Sequence, residues 1–137
     1  MNFTSIDFET ANNTKAGICA AGIAVFEDDK LAESPYWLVR PPKGCGWFLE
    51  EFTENCHGLT WFDVLCTLKL SRRVWPDLPN HDLKTLALHI GHEFNHHHAQ
   101  DDAEAAGRVL LAMMKHANAK TPRELLQMTG LPPDHFS

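Results

Sequence analysis

The sequence has no long apolar run and no stretch typical of an export signal. None of its apolar runs approaches the length of a membrane span, and its first residues lack the basic and apolar regions of a signal peptide. Its four cysteines show no Cys-x-x-Cys spacing, and a chain without an export signal should keep them reduced. We therefore expect a cytoplasmic protein with no membrane contact.

The chain is also poor in positive charge. It has 12 Lys and Arg against 18 Asp and Glu, which gives a formal net charge of −6. This balance argues against a broad basic surface that holds nucleic acid by its phosphates alone. It leaves open an enzyme whose acidic centre meets phosphate through metal ions. At 137 residues we expect a single domain, with a core over about residues 1–118 and a short C-terminal helix and tail over 119–137.

The first candidate site lies in residues 3–10, where β-branched and aromatic residues alternate with polar ones. This pattern predicts a strand of the interior sheet. Successive strand side chains point to opposite faces, so Asp7 and Glu9 lie side by side on one face. Buried carboxylates of this kind are tolerated when a hard divalent cation such as magnesium or manganese neutralises them. The alternative is an edge strand with a solvated acidic face.

The next segments predict a sheet followed by helices. Strands are expected at residues 16–26 and 31–39, and with the first strand they form an antiparallel meander. The small residues of the second strand predict close packing against a neighbouring element; they are Ala20, Ala21, Gly22 and Ala24. A short helix is expected within 44–55, and another over 81–90, capped by Asn80 and ended by Gly91. The pattern of residues 61–70 predicts neither state.

The last third of the chain holds a histidine run and two further helices. His96, His97 and His98 precede a helix that runs through Met114, with Asp101 and Asp102 in its first turn. Negative charge there is favoured by the helix dipole alone, and the histidines could instead form a metal-binding tract. A capping box predicts the final helix, from Thr121 to Gly130. Arg72 and Arg73 beside Trp75 could meet phosphate and base, or form a solvated helix end.

Residues 3–10 and the sequence His97-x-Ala99-x-x-Asp102 together resemble the first and last motifs of the DEDDh, or DnaQ-like, 3′-to-5′ exonucleases. This family includes the epsilon subunit of DNA polymerase III and ribonuclease T. The His-Gly-Leu-Thr sequence at 57–60 agrees in order, and the similarity extends to about residue 118. It implies an α/β, ribonuclease H-like fold, with a mixed sheet that contains an antiparallel three-stranded meander flanked by helices.

The resemblance also implies a site and a reaction. Asp7, Glu9 and Asp102 would hold two divalent cations, Mg or Mn, with Asp7 bridging both. His97 would act as general base, with His98 as its rival. The enzyme would hydrolyse the terminal phosphodiester of single-stranded DNA or RNA 3′ ends and release nucleoside monophosphates. The positions that match those surrounding the terminal nucleotide are Phe8, Thr10, His57, Gly58 and Leu59. A homodimer or a polymerase partner would fit such relatives.

The chain departs from the family in its middle. Relatives carry a strand and a helix with an Asn-x-x-Phe-Asp motif whose aspartate is a further metal ligand, and this stretch is missing after residue 60. Three explanations are open: a segment of the natural protein is absent from this sequence, the chain carries an internal deletion, or Asp63 has taken over as ligand. If the segment is truly lost, the alternative function is a catalytically degenerate domain that binds nucleic acid or a nucleotide.

Overall fold

The computed structural model describes residues 1–10, 18–38, 63–132 and 134–135. The predicted helix within 44–55 and the residues His57, Gly58 and Leu59 lie outside these ranges. The strands are β1 (Phe3–Thr10), β2 (Ile18–Glu27), β3 (Lys30–Glu33), β4 (Tyr36–Leu38), β5 (Asp63–Val64) and β6 (Asp134–His135). The helices are α1 (Thr67–Val74), α2 (Leu83–His89), α3 (Ala99–Ala117) and α4 (Pro122–Thr129).

The main sheet is the predicted antiparallel meander. β1 pairs with β2, and β2 pairs with both β3 and β4, in each case antiparallel. The register places Asp7 opposite Gly22 and Glu9 opposite Ala20. Within the described ranges β1 pairs with β2 alone, and β5 pairs with β6 in a separate small sheet. The sheet therefore presents one edge of β1 without a partner strand from the described part of the chain.

The predicted single strand over 31–39 is wrong, because two short strands replace it. β3 and β4 are separated by Ser34 and Pro35, and both pair with β2. Proline has no main-chain N–H and cannot donate to the ladder. The carbonyl of Pro35 still accepts a hydrogen bond from the N–H of Ile23 at 3.0 Å. Pro35 thus interrupts the strand while keeping the chain attached to the sheet.

The helices before α3 differ in detail from the sequence prediction. Helix α1 lies partly in the segment to which no structure was assigned. The predicted cap of α2 is wrong, because Asp82 rather than Asn80 accepts the hydrogen bond from the N–H of Thr85, at 2.7 Å. The side-chain oxygen of Asn80 instead accepts from the N–H groups of His81 and Asp82. Helix α2 accordingly begins at Leu83, two residues later than predicted.

The long helix α3 joins the sheet to the other helices. One of its sides packs on β1 and β2, and the other contacts α1, α2 and α4. The second side forms the main core, in which the fully buried side chains are Leu70, Leu86, Val109, Met113 and Leu125. Helix α4, which begins at the predicted capping box and ends at Gly130, contributes to this same core. None of the described helices is both long and apolar enough to cross a membrane.

Candidate metal centre

One face of β1 is turned toward α3. The rings of Phe3 and Phe26 stack at 4.7 Å on this face, and the hydroxyl of Ser5 donates to the carbonyl oxygen of Ala103 in α3. Because strand side chains alternate, Asp7 and Glu9 lie on the same face as Phe3 and Ser5. The alternation of β1 therefore places both carboxylates on one face, as predicted, and this face is directed toward the N-terminal half of α3.

Gly22 allows α3 to approach the strand that pairs with Asp7. A Cβ added to Gly22 would overlap the main chain of Ala99 and Gln100, in the first turn of α3. Glycine in a strand often marks such a close approach of another backbone. Since Gly22 lies opposite Asp7 in the ladder, this contact sets the distance between Asp7 and the first turn of α3. The close packing predicted from the small residues of β2 is confirmed here.

Three carboxylates meet where β1 faces the first turn of α3. Asp7, Glu9 and Asp102 each offer an oxygen, and these oxygens all lie within 4.8 Å of one another. Asp102 is buried, with 3% of its surface exposed, whereas Asp7 and Glu9 are half-buried. Oxygen ligands at this spacing suit a hard divalent cation. The described residues contain no other group of three or more side chains placed to share a metal ion.

The electrostatics of the cluster favour a bound cation. Burial, followed by the charges of Asp102 and Glu9, raises the pKa of Asp7 from its ordinary value of 3.8 to about 7. Each of these causes opposes a negative charge on Asp7. A divalent cation between the carboxylates would supply the missing positive charge and allow all three to ionise. The donor set therefore fits the metal that the sequence resemblance implies.

Two of the three histidines that precede α3 hold Asp102. Nδ1 of His96 lies 2.8 Å from Oδ1 of Asp102, and the main-chain N–H of His97 donates to Oδ2 at 2.9 Å. Asp101 points elsewhere, with its Oδ1 3.5 Å from Nδ1 of His98. The helix-dipole explanation applies to both aspartates, since both lie in the first turn of α3. Only Asp102 also joins the acidic cluster.

His97 has an unusual backbone conformation. Its φ is 71°, in the left-handed region that residues with a side chain seldom adopt. Its side chain is exposed, and its ring stacks on that of His96 at 4.0 Å. The left-handed turn accompanies the bond from its own N–H to Asp102. His98 is engaged differently, because its ring stacks on Tyr36 of β4 at 4.8 Å.

The remaining candidates lie at other positions of the fold. Phe8 lies on the opposite face of β1, where 39% of it is exposed, and Thr10 ends that strand. Trp75 is buried against the rings of His89 and His116, so it is not available to stack on a base. Asp63 lies in β5, in the small sheet, and its proposed role as a ligand stays a prediction.

The histidine run does not form a metal tract of its own. His96 contacts Asp102, and His98 contacts Tyr36 and Asp101. None of the three histidines at 96–98 is among the described side chains that could share an ion. The sequence analysis missed the contact between His96 and Asp102. Its only signal in the sequence was the adjacency of His96 to the motif that begins at His97.

The fold is that of a known exonuclease structure. Superposed on a solved structure of Exonuclease X in complex with 5′ overhanging duplex DNA, the chain gives a TM-score of 0.71 at 20% identity. The match covers 93% of this chain and 99% of that one. The predicted ribonuclease H-like fold class is thereby confirmed.

The sequence relatives are DNA polymerase III proteins. Over 73 residues the chain is 47% identical to DNA polymerase III PolC-type of Lacticaseibacillus paracasei. The match covers 51% of this chain and 5% of that protein. Over 70 residues it is 33% identical to DNA polymerase III subunit epsilon of Aquifex aeolicus. This match covers 50% of the chain and 35% of the relative. No family model matches the chain. These relatives confirm the resemblance to the DEDDh exonucleases. The chain spans only a small part of the PolC-type protein and about a third of the epsilon subunit.

Proposed function

We propose that the chain is a metal-dependent 3′-to-5′ exonuclease that acts on single-stranded DNA or RNA ends and releases nucleoside monophosphates. The observation that carries this proposal is the meeting of Asp7, Glu9 and Asp102 within 4.8 Å. These residues come from the two ends of the chain, and they match the first and last motifs of the family. The relationship to DNA polymerase III proteins supports DNA as the substrate and a polymerase as partner.

The residues divide the work of hydrolysis. Asp7, Glu9 and Asp102 would hold two divalent ions, Mg or Mn, which when bound stabilise the attacking and leaving oxygens of an in-line displacement. His97 would accept the proton of the attacking water, because imidazole is the side chain whose unperturbed pKa lies nearest neutrality. Its exposed position just before α3 leaves it accessible to solvent and substrate.

The family resemblance assigns five positions to the surroundings of the terminal nucleotide: Phe8, Thr10, His57, Gly58 and Leu59. The homodimer expected from ribonuclease T-like relatives stays a prediction.

One observation favours the second candidate, a domain that binds nucleic acid without cleaving it. The Asn-x-x-Phe-Asp motif, whose aspartate is a further metal ligand in members of this family, is missing after residue 60. A site with too few ligands could retain affinity for a nucleic acid end and lose activity.

The test is a cleavage assay on single-stranded DNA labelled at its 5′ end. We expect a ladder of shortened products with manganese or magnesium, and none with chelator or with Asp7→Ala. A duplex with a 5′ overhang, used in parallel, shows whether a recessed 3′ end is also accepted. Binding of the strand without cleavage, by folded protein in the presence of metal, would contradict the enzyme and favour the degenerate domain.

A further inference from the structure

We infer that His96 is a positioning residue of the metal centre, which fixes the carboxylate of Asp102 in the orientation that binds the cation. This inference rests on the proposed function, because it takes Asp102 as a metal ligand. His96 has no role in the motifs that define the resemblance. Its assignment comes from the contact between its ring and the buried carboxylate.

The two oxygens of Asp102 are held by adjacent residues of the chain. His96 contacts Oδ1 through its ring, and His97 contacts Oδ2 through its main chain. A carboxylate only accepts hydrogen bonds, so Nδ1 of His96 carries the proton. Two donors on different oxygens prevent the carboxylate plane from rotating. The remaining lone pairs of both oxygens are left for a ligand.

The ring of His96 is itself held on two sides. His97 stacks on it with an angle of 25° between the planes, and Phe94 meets it edge-on at 5.6 Å. Phe94 stacks in turn on His92 at 6.0 Å. A ring fixed by neighbours in this way delivers its hydrogen bond at a smaller cost in side-chain entropy. The segment from 92 to 97 thus orders the donor before any ion binds.

Partners that orient a metal ligand typically contribute about 10–100-fold to metal affinity. His96 could instead compete with the ion, because its ring bonds to an oxygen of Asp102 that the ion would also need. The two roles predict opposite effects of removing the ring. A positioning residue strengthens metal binding, and a competitor weakens it.

The experiment is calorimetric titration of Mn²⁺ into the metal-free protein, without nucleic acid. We expect His96→Ala to weaken binding by about 10–100-fold, and His96→Asn, whose amide can donate from nearly the same place as Nδ1, to recover most of the loss. His116→Ala is the matched control, because this imidazole packs on Trp75 near the C-terminal end of α3 and takes no part in holding His96 or Asp102; its affinity should equal that of the wild type. Equal or tighter binding by His96→Ala, or no recovery by His96→Asn, would overturn the assignment.

A second measurement needs only the wild-type protein. In a nitrogen-15 NMR spectrum, the Nδ1 proton of His96 should persist when Mg²⁺ saturates the site, and its loss on metal binding would show that His96 releases Asp102, which overturns the inference. Failure of the proposed function is distinguishable from failure of this assignment. If metal binding depends on His96 but the protein does not cleave DNA, only the proposed exonuclease activity is contradicted. If the wild type binds no Mn²⁺, both proposals are contradicted.

Discussion

Gly22 in β2 lies against the main chain of Ala99 in the first turn of α3, with no room between them for a side chain. The contact sits beside the metal centre, because Gly22 pairs with Asp7 and Ala99 lies one turn before Asp102. The geometry of the acidic cluster therefore depends on a residue that has no chemistry of its own.

Gly22→Ala should consequently damage stability and metal binding together. The added methyl group would push α3 away from the sheet, at a cost of about 1–3 kcal/mol in the free energy of unfolding. Urea unfolding measures this loss, and calorimetry with Mn²⁺ measures the expected loss of affinity. The matched control is Gly91→Ala, where φ is +74° and nothing lies within 4 Å of the new Cβ. It should cost about 1 kcal/mol through backbone strain and leave metal affinity intact. A Gly22→Ala protein with wild-type stability and affinity would refute this role.

The raised pKa of Asp7 predicts how the stability of the metal-free protein changes with pH. In the unfolded chain Asp7 ionises near 3.8, whereas in the folded protein its pKa is about 7. Between these values the folded state binds more protons, so the free energy of unfolding falls as pH rises and then levels off. Because Asp7 is only half-buried, solvent screening limits the loss to about 1–2 kcal/mol.

Urea unfolding in chelator, from about pH 5 to about pH 8, would measure this loss. Asp7→Asn should remove the part that depends on Asp7, and the difference between the two proteins isolates it from the titration of the histidines. Saturating Mg²⁺ should likewise reduce the slope, because the cation takes the place of the proton. The same slope in wild type and Asp7→Asn would show that Asp7 ionises freely in the folded protein.

The left-handed backbone of His97 selects the variant that best tests its role as general base. Asparagine adopts a positive φ more readily than most residues, so His97→Asn should keep the turn and the main-chain bond to Asp102. It removes the imidazole, and general-base catalysis typically contributes about 100- to 10,000-fold. We expect a loss of this size in the cleavage rate, with a much smaller effect on Mn²⁺ affinity, which reflects only the lost stacking of His97 on the ring of His96. Wild-type activity would transfer the role to another group, and His98→Asn would then test the rival histidine.

Local patterns predicted the site better than they predicted the boundaries of the fold. The alternation in residues 3–10 was sufficient to place Asp7 and Glu9 on one face, and the resemblance of His97-x-Ala99-x-x-Asp102 to the family's last motif identified the third carboxylate. The break at Pro35 was readable in principle, because proline cannot donate to a ladder. Asn80 was a reasonable cap by residue type. Its choice of partners depends on the neighbouring Asp82, which competes for the same helix end.

Other features depend on contacts that no local pattern encodes. Helix α1 becomes a helix by packing Leu70 into the core against α3 and α4, although its own sequence is short and mixed. The bond from His96 to Asp102 depends on a turn with a positive φ at a histidine, which residue preferences disfavour. The burial of Trp75 likewise follows from the arrangement of helices and excludes the base-stacking role that its two neighbouring arginines suggested.

The most direct test compares two neighbouring aspartates in one reaction. Asp101 and Asp102 share the first turn of α3, but only Asp102 belongs to the acidic cluster. The measurement is the release of nucleoside monophosphates from single-stranded DNA in Mg²⁺ or Mn²⁺ by wild type, Asp101→Asn and Asp102→Asn. We predict release by the first two, and a loss of more than about 100-fold with Asp102→Asn, since even a partner of a metal ligand typically contributes about 10–100-fold. Equal release by the two variants, or no release by folded, metal-loaded wild type, would contradict the account.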